Sequence, residues 1–376
     1  MTTRVSDKEL APFSCTFTPQ LPELLYKLQC TLVISTFQAG KIIFISPKDD
    51  NFLIQLPRNF KRPMGVAISG DKMAVATMNE IVVLRNSEEL AKTYPNKPNT
   101  YDQLWVPRAT YFTGAVDIHD LHFGNGAKLW AVNTSFSCLC SIDDDYSFKP
   151  EWQPHFITHL AAEDRCHLNG LAMNNGSPTY ISALGSGDTF QSWREDIVRG
   201  GIIMDVESNE IIASGLAMPH TPRIYNGQLY CLLSAAQKLI TIDPASGKTE
   251  DVAHLPGFVR GMTKIRDFVF VSTSKLRKNS STFNKLDIPE SANHSMIYAV
   301  HLPTGQVTGK IQYRMSVDEI YDIQVIENCI RPNIINHYKD LHHRALIIPG
   351  TTFWAQAQEE NADQNNAAAE IEKDQE

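Results

Sequence analysis

Apolar runs of four to eight residues, rich in β-branched side chains and broken by Gly, Asn, Asp and Pro, recur along most of the chain. Runs of this length bounded by turn residues predict short strands joined by hairpins. The clearest stretch sets strands at 64–69, 72–77 and 80–85, with a Gly70-Asp71 turn between the first two. Similar groups fall at 31–37, 41–47 and 52–56, then at 116–123, 128–134 and 138–143. Three groups of four follow: 167–173, 178–184, 201–206 and 210–216; 221–225, 228–234, 238–243 and 248–254; and 259–265, 268–274, 295–302 and 306–313. A single run, 320–326, is left over at the end, and the first group lacks an opening strand.

Six related segments head these groups: Arg62-Pro-Met-Gly65, Asp117-Ile-His-Asp120, His167-Leu-Asn-Gly170, His220-Thr-Pro-Arg223, Phe258-Val-Arg-Gly261 and Glu319-Ile-Tyr-Asp322. They start 55, 50, 53, 38 and 61 residues apart, about the length of a four-stranded blade, and self-similarity at such a period marks a repeat architecture. The expected fold is all-β: a six-bladed β-propeller in which 320–326 supplies the missing inner strand of the N-terminal blade and so removes the open sheet edges. Seven blades are the alternative, if 344–350 begins another. The expected organisation is an N-terminal extension at 1–20, one propeller domain at 21–354 and a disordered acidic tail at 355–376, with 327–354 packed on the ring in a place the pattern does not define. The insertion at 185–200, which carries Trp193, is a candidate lid, and a second long insertion falls at 275–294.

Inner strands of a propeller border a central channel, so the heads of six such strands form one ring. Strand alternation sorts them into an outer tier of Arg62, Asp117, His167, His220, Phe258 and Glu319 and an inner tier of Met64, His119, Asn169, Pro222, Arg260 and Tyr321. Nine of these twelve are polar or ionisable, where positions that merely pack would be small or apolar. Asp120 and Asp322 take the opposite parity and are expected to accept hydrogen bonds from neighbouring blades.

Two chemistries fit this ring. Imidazoles and carboxylates suit a divalent metal, with His119, His167, His220 and Glu319 as the ligands. A metal-free site would use His119, His167, His220 and Tyr321 as acid, base or nucleophile, while Arg62, Arg165, Arg223 and Arg260 hold an anion and Asn169 donates hydrogen bonds. The spacing does not choose between them. A serine hydrolase is unsupported, since there is no Gly-x-Ser-x-Gly elbow. Cys166 reads as a buried, inert thiol.

Net charge is −8, but 355–376 holds seven acidic residues and one lysine, a balance of −6 that leaves the remainder near −2. With a pI near 5.8 and no basic stripe, nucleic acid is not an expected partner. The N-terminus has no apolar leader and no run reaches membrane-spanning length, so a soluble, cytoplasmic protein without membrane contact is expected. Seven cysteines in no Cys-x-x-Cys pair argue against a zinc ribbon or a complete disulfide framework.

The motifs Ser35-Thr-Phe-Gln-Ala-Gly-Lys41, Arg62-Pro-Met-Gly65, Val106-Pro-Arg108, Asp117-Ile-His-Asp120, Val132-Asn-Thr134, Glu163-Asp-Arg-Cys-His-Leu-Asn-Gly170, Met218-Pro-His-Thr-Pro-Arg223 and Leu255-Pro-Gly-Phe-Val-Arg-Gly261 resemble a bacterial family of conserved hypothetical propeller proteins, a domain of unknown function. The resemblance spans about residues 20–330 and departs at Phe37, where the pattern carries tyrosine. It implies a propeller-like β fold and brings no reaction, substrate or cofactor. From the ring itself, the expected function is an enzyme acting on a small anionic molecule at one channel mouth, by lyase, isomerase or group-transfer chemistry. The alternatives are a metal-dependent enzyme and a non-catalytic propeller that binds a ligand or a protein partner.

Overall fold

In the computed structural model, the described residues are 10–356 except Asn96, 277–282 and 284–285. Six sheets, antiparallel but for one strand added to blade two, stand around one axis as the blades of a six-bladed propeller. The first blade is closed in the expected way. Asp322–Glu327 pairs as inner strand with Cys30–Thr36, followed by Lys41–Pro47 and Leu53–Asn59. The N-terminal and C-terminal ends of the ring are thus held in one sheet, so no blade edge is left open at the junction.

The second blade runs Val66–Ser69, Lys72–Ala76, Glu80–Asn86 and Gln103–Phe112, and the third Ile118–Phe123, Leu129–Asn133, Cys138–Ile142 and Lys149–Trp152. The fourth runs Leu168–Asn174, Ser177–Ala183, Gly201–Asp205 and Ile211–Leu216; the fifth Pro219–Tyr225, Gln228–Leu233, Lys238–Ile242 and Thr249–His254; the sixth Phe258–Ile265, Phe268–Ser274, Met296–His301 and Gln306–Tyr313. The outer strands Gln103–Phe112 and Lys149–Trp152 escape the sequence pattern because their burial is one-sided or slight.

The hydrophobic core is divided among the gaps between blades. Val33, Phe44, Val75 and Trp105 fill the first gap, and Ile118, Ala131, Ile81 and Cys140 the second. The gap between blades six and one is filled by a helix, Gln20–Leu28, whose Leu21, Leu25 and Leu28 recur on one face against Ile43 and Ile311. Just before it, Cys15–Phe17 adds a fifth strand to blade six, so part of the expected extension belongs to the ring.

The segment after the ring also finds its place. Pro332–Ile334 runs parallel to Gln103–Phe112 as a fifth strand of blade two. Ala345–Ile348 pairs with Thr351–Trp354 as a hairpin that packs on Leu90, Ala91 and Leu104, so the region at 344–350 starts no seventh blade. Of the expected acidic tail, residues 357–376 lie outside the described residues. No helix among the described residues is long and apolar enough to cross a membrane.

Candidate functional site

Four of the six inner strands, those of blades three to six, do not alternate simply at their heads; each of these carries an irregularity where it meets the channel. Ile118 and Asp120 pair with Asn133 and Val132, leaving His119 as the extra residue, and Leu168 and Gly170 pair with Ala183 and Ser182, leaving Asn169. In blade five, His220 and Arg223 face Leu232 and Tyr230, and in blade six Val259 and Met262 face Thr273 and Val271, again with one residue too many on the inner strand. Such bulges re-aim side chains and are common at functional rims. Serine hydroxyls take up N–H groups at the strand heads: Gly170, Gly261 and Asp322 donate to Ser182, Ser272 and Ser35, each at 3.0 Å.

Just upstream, Arg62, Asp117, His167 and Met218 all adopt left-handed φ between 48° and 57°. Four non-glycine residues in this costly region at equivalent positions mark the heads of the inner strands of blades two to five. They also correct the expected register of blade five. Met218, not His220, takes the first position, so His220 rather than Pro222 belongs to the inner tier. The inner ring is therefore Met64, His119, Asn169, His220, Arg260 and Tyr321.

Cross-blade bonds hold this ring rigid. Hydroxyls of one blade donate to the carbonyl preceding the channel residue of the next: Ser35 to Met64 itself (2.6 Å), Thr134 to Leu168 (2.6 Å), Ser234 to Val259 and Ser274 to Ile320 (3.0 Å). Asp322 and Asp120 accept from the N–H groups of Val66 (2.8 Å) and Leu171 (2.9 Å) in the neighbouring blades, as their strand parity implies. Close approach demands glycine on the facing strands. A Cβ on Gly170 would lie 2.7 Å from the Pro222 ring and 2.9 Å from the Thr221 nitrogen, and one on Gly261 would lie 2.9 Å from the Asp322 Cα.

His119, Asn169, His220, Arg260 and Tyr321 line one small axial cavity together with Asp120, Thr221, Arg223 and Asp322. Its volume is about 10 Å³, room for a water-sized group. The His119 ring stands edge-on to His167 at 4.9 Å and to Tyr321 at 5.4 Å, and the Arg260 guanidinium lies 4.1 Å over the Tyr321 ring. His119 Nδ1 donates to the Asp117 carbonyl (3.1 Å), and His220 Nδ1 lies 3.0 Å from the Met218 carbonyl and 2.7 Å from the Ser234 hydroxyl, which itself donates to Val259. These acceptors fix the tautomer and leave each Nε2 with its lone pair.

Burial, reinforced by the charge of Arg260, pushes both His119 and His220 well below the usual imidazole range, so both are neutral at physiological pH. Burial pushes the Tyr321 hydroxyl well above its usual range, so it remains a donor. Three polar groups of the ring have no hydrogen-bond partner among the described residues: Asn169 Nδ2, Arg260 Nε and the Tyr321 hydroxyl. Arg260 also has no ion-pair partner there.

Other expected site residues are placed differently. Arg223 is buried beneath the ring, where it makes a two-point ion pair with Asp120 (2.8 and 3.1 Å). Arg165 is turned away from the channel and is held by Glu163 (2.8 Å), Asp188 (2.7 Å) and His159 (3.0 Å). Arg62 lies exposed at the rim over the Phe37 ring (5.5 Å), and Glu319 is buried at the head of the first blade. Cys166 is fully buried, and burial pushes its thiol up to about 12, in line with an inert role. Among the described residues, no three or more His, Cys, Asp or Glu side chains are set to hold a metal ion, so His119, His167, His220 and Glu319 do not form the expected ligand set.

Two insertions roof part of the mouth. Trp193 and Ile197 from the insertion of blade four pack with Leu286 from that of blade six over Met218 and Phe258. The Trp193 ring covers His167 at 4.3 Å, and its indole N–H donates to Asp164 (3.0 Å), which also accepts from His167 Nδ1 (2.9 Å). Trp193 lies in the insertion expected as a lid, whereas Asp164 is not visible from strand alternation, because it sits on a connecting loop.

Among solved structures, the chain is similar to a chain of a nidogen/laminin complex, with a TM-score of 0.49 and 10% identity over 80% of this chain and 99% of that one. It is also similar to a protein of unknown function from Bacteroides caccae (TM-score 0.47, 10% identity, 79% and 98% covered) and to streptogramin B lyase (TM-score 0.36, 14% identity, 73% of each chain). No curated protein matches it. The family model described as "Domain of unknown function (DUF4915)" matches residues 19–335, and the chain belongs to that family.

Proposed function

We propose that the channel mouth binds a small anionic molecule and that its imidazoles move a proton on that molecule. The observation that carries this reading is the set of unmade hydrogen bonds at Asn169 Nδ2, Arg260 Nε and the Tyr321 hydroxyl, gathered on one cavity. Buried donors left unpaired cost about 1–3 kcal/mol each, so a site that keeps three of them gains by receiving an acceptor. A carboxylate or phosphate oxygen fits the cavity volume and meets a permanent cation in Arg260. The body of such a molecule would occupy the mouth, beside Arg62, Asp117 and His167.

The chemistry that suits these groups is proton transfer in the manner of a lyase or isomerase, or group transfer to an imidazole. The neutral rings of His119 and His220 offer Nε2 lone pairs, and the protonated Tyr321 offers a proton. A cytoplasmic setting agrees with the seven cysteines, all of which are free.

The test is thermal shift of the purified full-length chain across acetate, malonate, phosphate and sulfate, repeated with Arg260→Ala. At least one anion is expected to stabilise the wild-type protein, and Arg260→Ala should lose that response. An Arg260→Ala protein that responds as the wild type does would overturn the assignment.

A further inference from the structure

The segment from Glu163 to His167 is not used by the anion-holding ring, yet it is the most elaborately held loop at the mouth. Asp164 and His167 both adopt left-handed φ, 48° and 52°. Between them, the Arg165 and Cys166 side chains are buried. Arg165 is 4% exposed and tied to Glu163, Asp188 and His159, while Cys166 is fully buried. Two strained residues flanking two anchored ones is a pattern in which the anchors hold the strain in place. What the strain achieves is visible on the other side of the loop. His167 Nδ1 lies 2.9 and 3.0 Å from the two Asp164 oxygens, and the Trp193 indole N–H fixes one of those oxygens at 3.0 Å. The imidazole also lies against the Trp193 ring at 4.3 Å, tilted by 36°, and meets the edge of His119 at 4.9 Å.

We propose that Asp164 is a positioning residue that holds His167 as the Nδ1–H tautomer with its Nε2 lone pair toward the mouth, and that His167 is the proton-accepting base of the site. The proposal rests on the reading of the mouth as a proton-transfer site and divides labour among its three histidines. His119 and His220 hand their Nδ1–H to uncharged acceptors, a backbone carbonyl in each case with a serine hydroxyl added for His220. Of the three, His167 alone is backed by a carboxylate. When an imidazole accepts a proton at Nε2 it becomes a cation, and a carboxylate on Nδ1–H stabilises that cation while keeping the ring in orientation. In the step assigned to it, a C–H or O–H bond of the bound anion breaks, its electron pair stays on the anion, and the proton goes to Nε2. Arg260 then faces the added negative charge across the ring. Arg165 acquires a role in this scheme too, as the anchor of the dyad loop rather than as a ligand for the anion.

The test needs no ligand, so its failure is distinct from a failure of anion binding. In full-length protein labelled with ¹⁵N at histidine, the His167 ring signals are assigned by their loss in His167→Gln. They should show the proton on Nδ1 at pH 8. Ethoxyformylation by diethyl pyrocarbonate, followed residue by residue by mass spectrometry, should be faster at His167 than at His119 or His220. Asp164→Asn should slow it at His167 several-fold, because an amide no longer stabilises the positive charge that builds on the ring as Nε2 attacks, with partial recovery in Asp164→Glu. A purely structural Asp164 would leave the folded variant's rate at His167 unchanged, and that result overturns the proposal. So does a wild-type His167 with its proton on Nε2. Should Asp164→Asn fail to fold, Trp193→Phe keeps the carboxylate and the covering ring, and the tautomer must then remain Nδ1–H.

Discussion

Asp120 and Arg223, which lie 103 residues apart on blades three and five, meet beneath the channel ring in a two-point ion pair with bonds of 2.8 and 3.1 Å. Blade four is bridged by this pair: Asp120 also accepts from the Leu171 N–H, and Arg223 donates to the Leu171 carbonyl. Burial alone would raise the Asp120 carboxyl, but the Arg223 guanidinium and His122 outweigh it and hold Asp120 well below the usual carboxylate range. Removing one partner of such a pair strands a buried charge. Arg223→Ala is therefore expected to cost about 3–5 kcal/mol in denaturant unfolding, and adding Asp120→Asn should recover part of that loss. A loss under about 1 kcal/mol would show that the pair is not what holds blades three, four and five together.

Asp322 is the unbalanced member of this layer. Burial first, and then the charge of Asp120, push its carboxyl up to about 7. In the unfolded chain the same group titrates near 3.9, so between about pH 4 and pH 7 the folded protein keeps a proton that the unfolded chain has lost. Stability from this group is complete below that window and declines as pH rises through it. Asp322→Asn keeps an oxygen to accept from Val66 and removes the titration, so its melting temperature relative to wild type should be several degrees more favourable at pH 8 than at pH 5. Equal differences at the two pH values would mean that Asp322 is ionised throughout.

The architecture was legible because propeller blades are made by local hairpins, whose apolar runs and turn residues sit close together in sequence. The closing strand could be anticipated for a similar reason: 320–326 had no hairpin partner and the first blade had no inner strand. The site was harder to read where geometry leaves simple alternation. A one-residue bulge in blade five puts His220, rather than Pro222, in the inner tier beside His119, and nothing in an apolar pattern announces a bulge. Arg165 looked like a channel residue because it stands two positions before His167, yet the left-handed turns at Asp164 and His167 rotate it into a pocket of acids. The helix Gln20–Leu28 has Leu21, Leu25 and Leu28 on one face, a helical period that its single short stretch expresses only weakly. Residues brought by loops, Asp164 and Trp193 above all, depend on contacts 29 residues apart that no period encodes.

Tyr321 separates the ring's stability from its use. Its hydroxyl is buried in the channel with no partner among the described residues, while its ring carries the contact with Arg260 at 4.1 Å and its backbone N–H donates to the Ser35 carbonyl at 2.8 Å. Phenylalanine keeps the ring and the backbone bond and removes only the unpaired oxygen. Deleting a buried polar atom that makes no hydrogen bond relieves a desolvation cost, so Tyr321→Phe should leave unfolding stability unchanged or raise it by up to about 1 kcal/mol. The same substitution removes a donor from the proposed anion site, and the thermal shift produced by the anion that stabilises wild-type protein should shrink. Chemical unfolding of both proteins without ligand, followed by thermal shift with that anion, reads the two effects separately. A Tyr321→Phe protein destabilised by more than about 2 kcal/mol would mean that the hydroxyl has a structural partner, and its spare hydrogen bond could then no longer count toward a ligand.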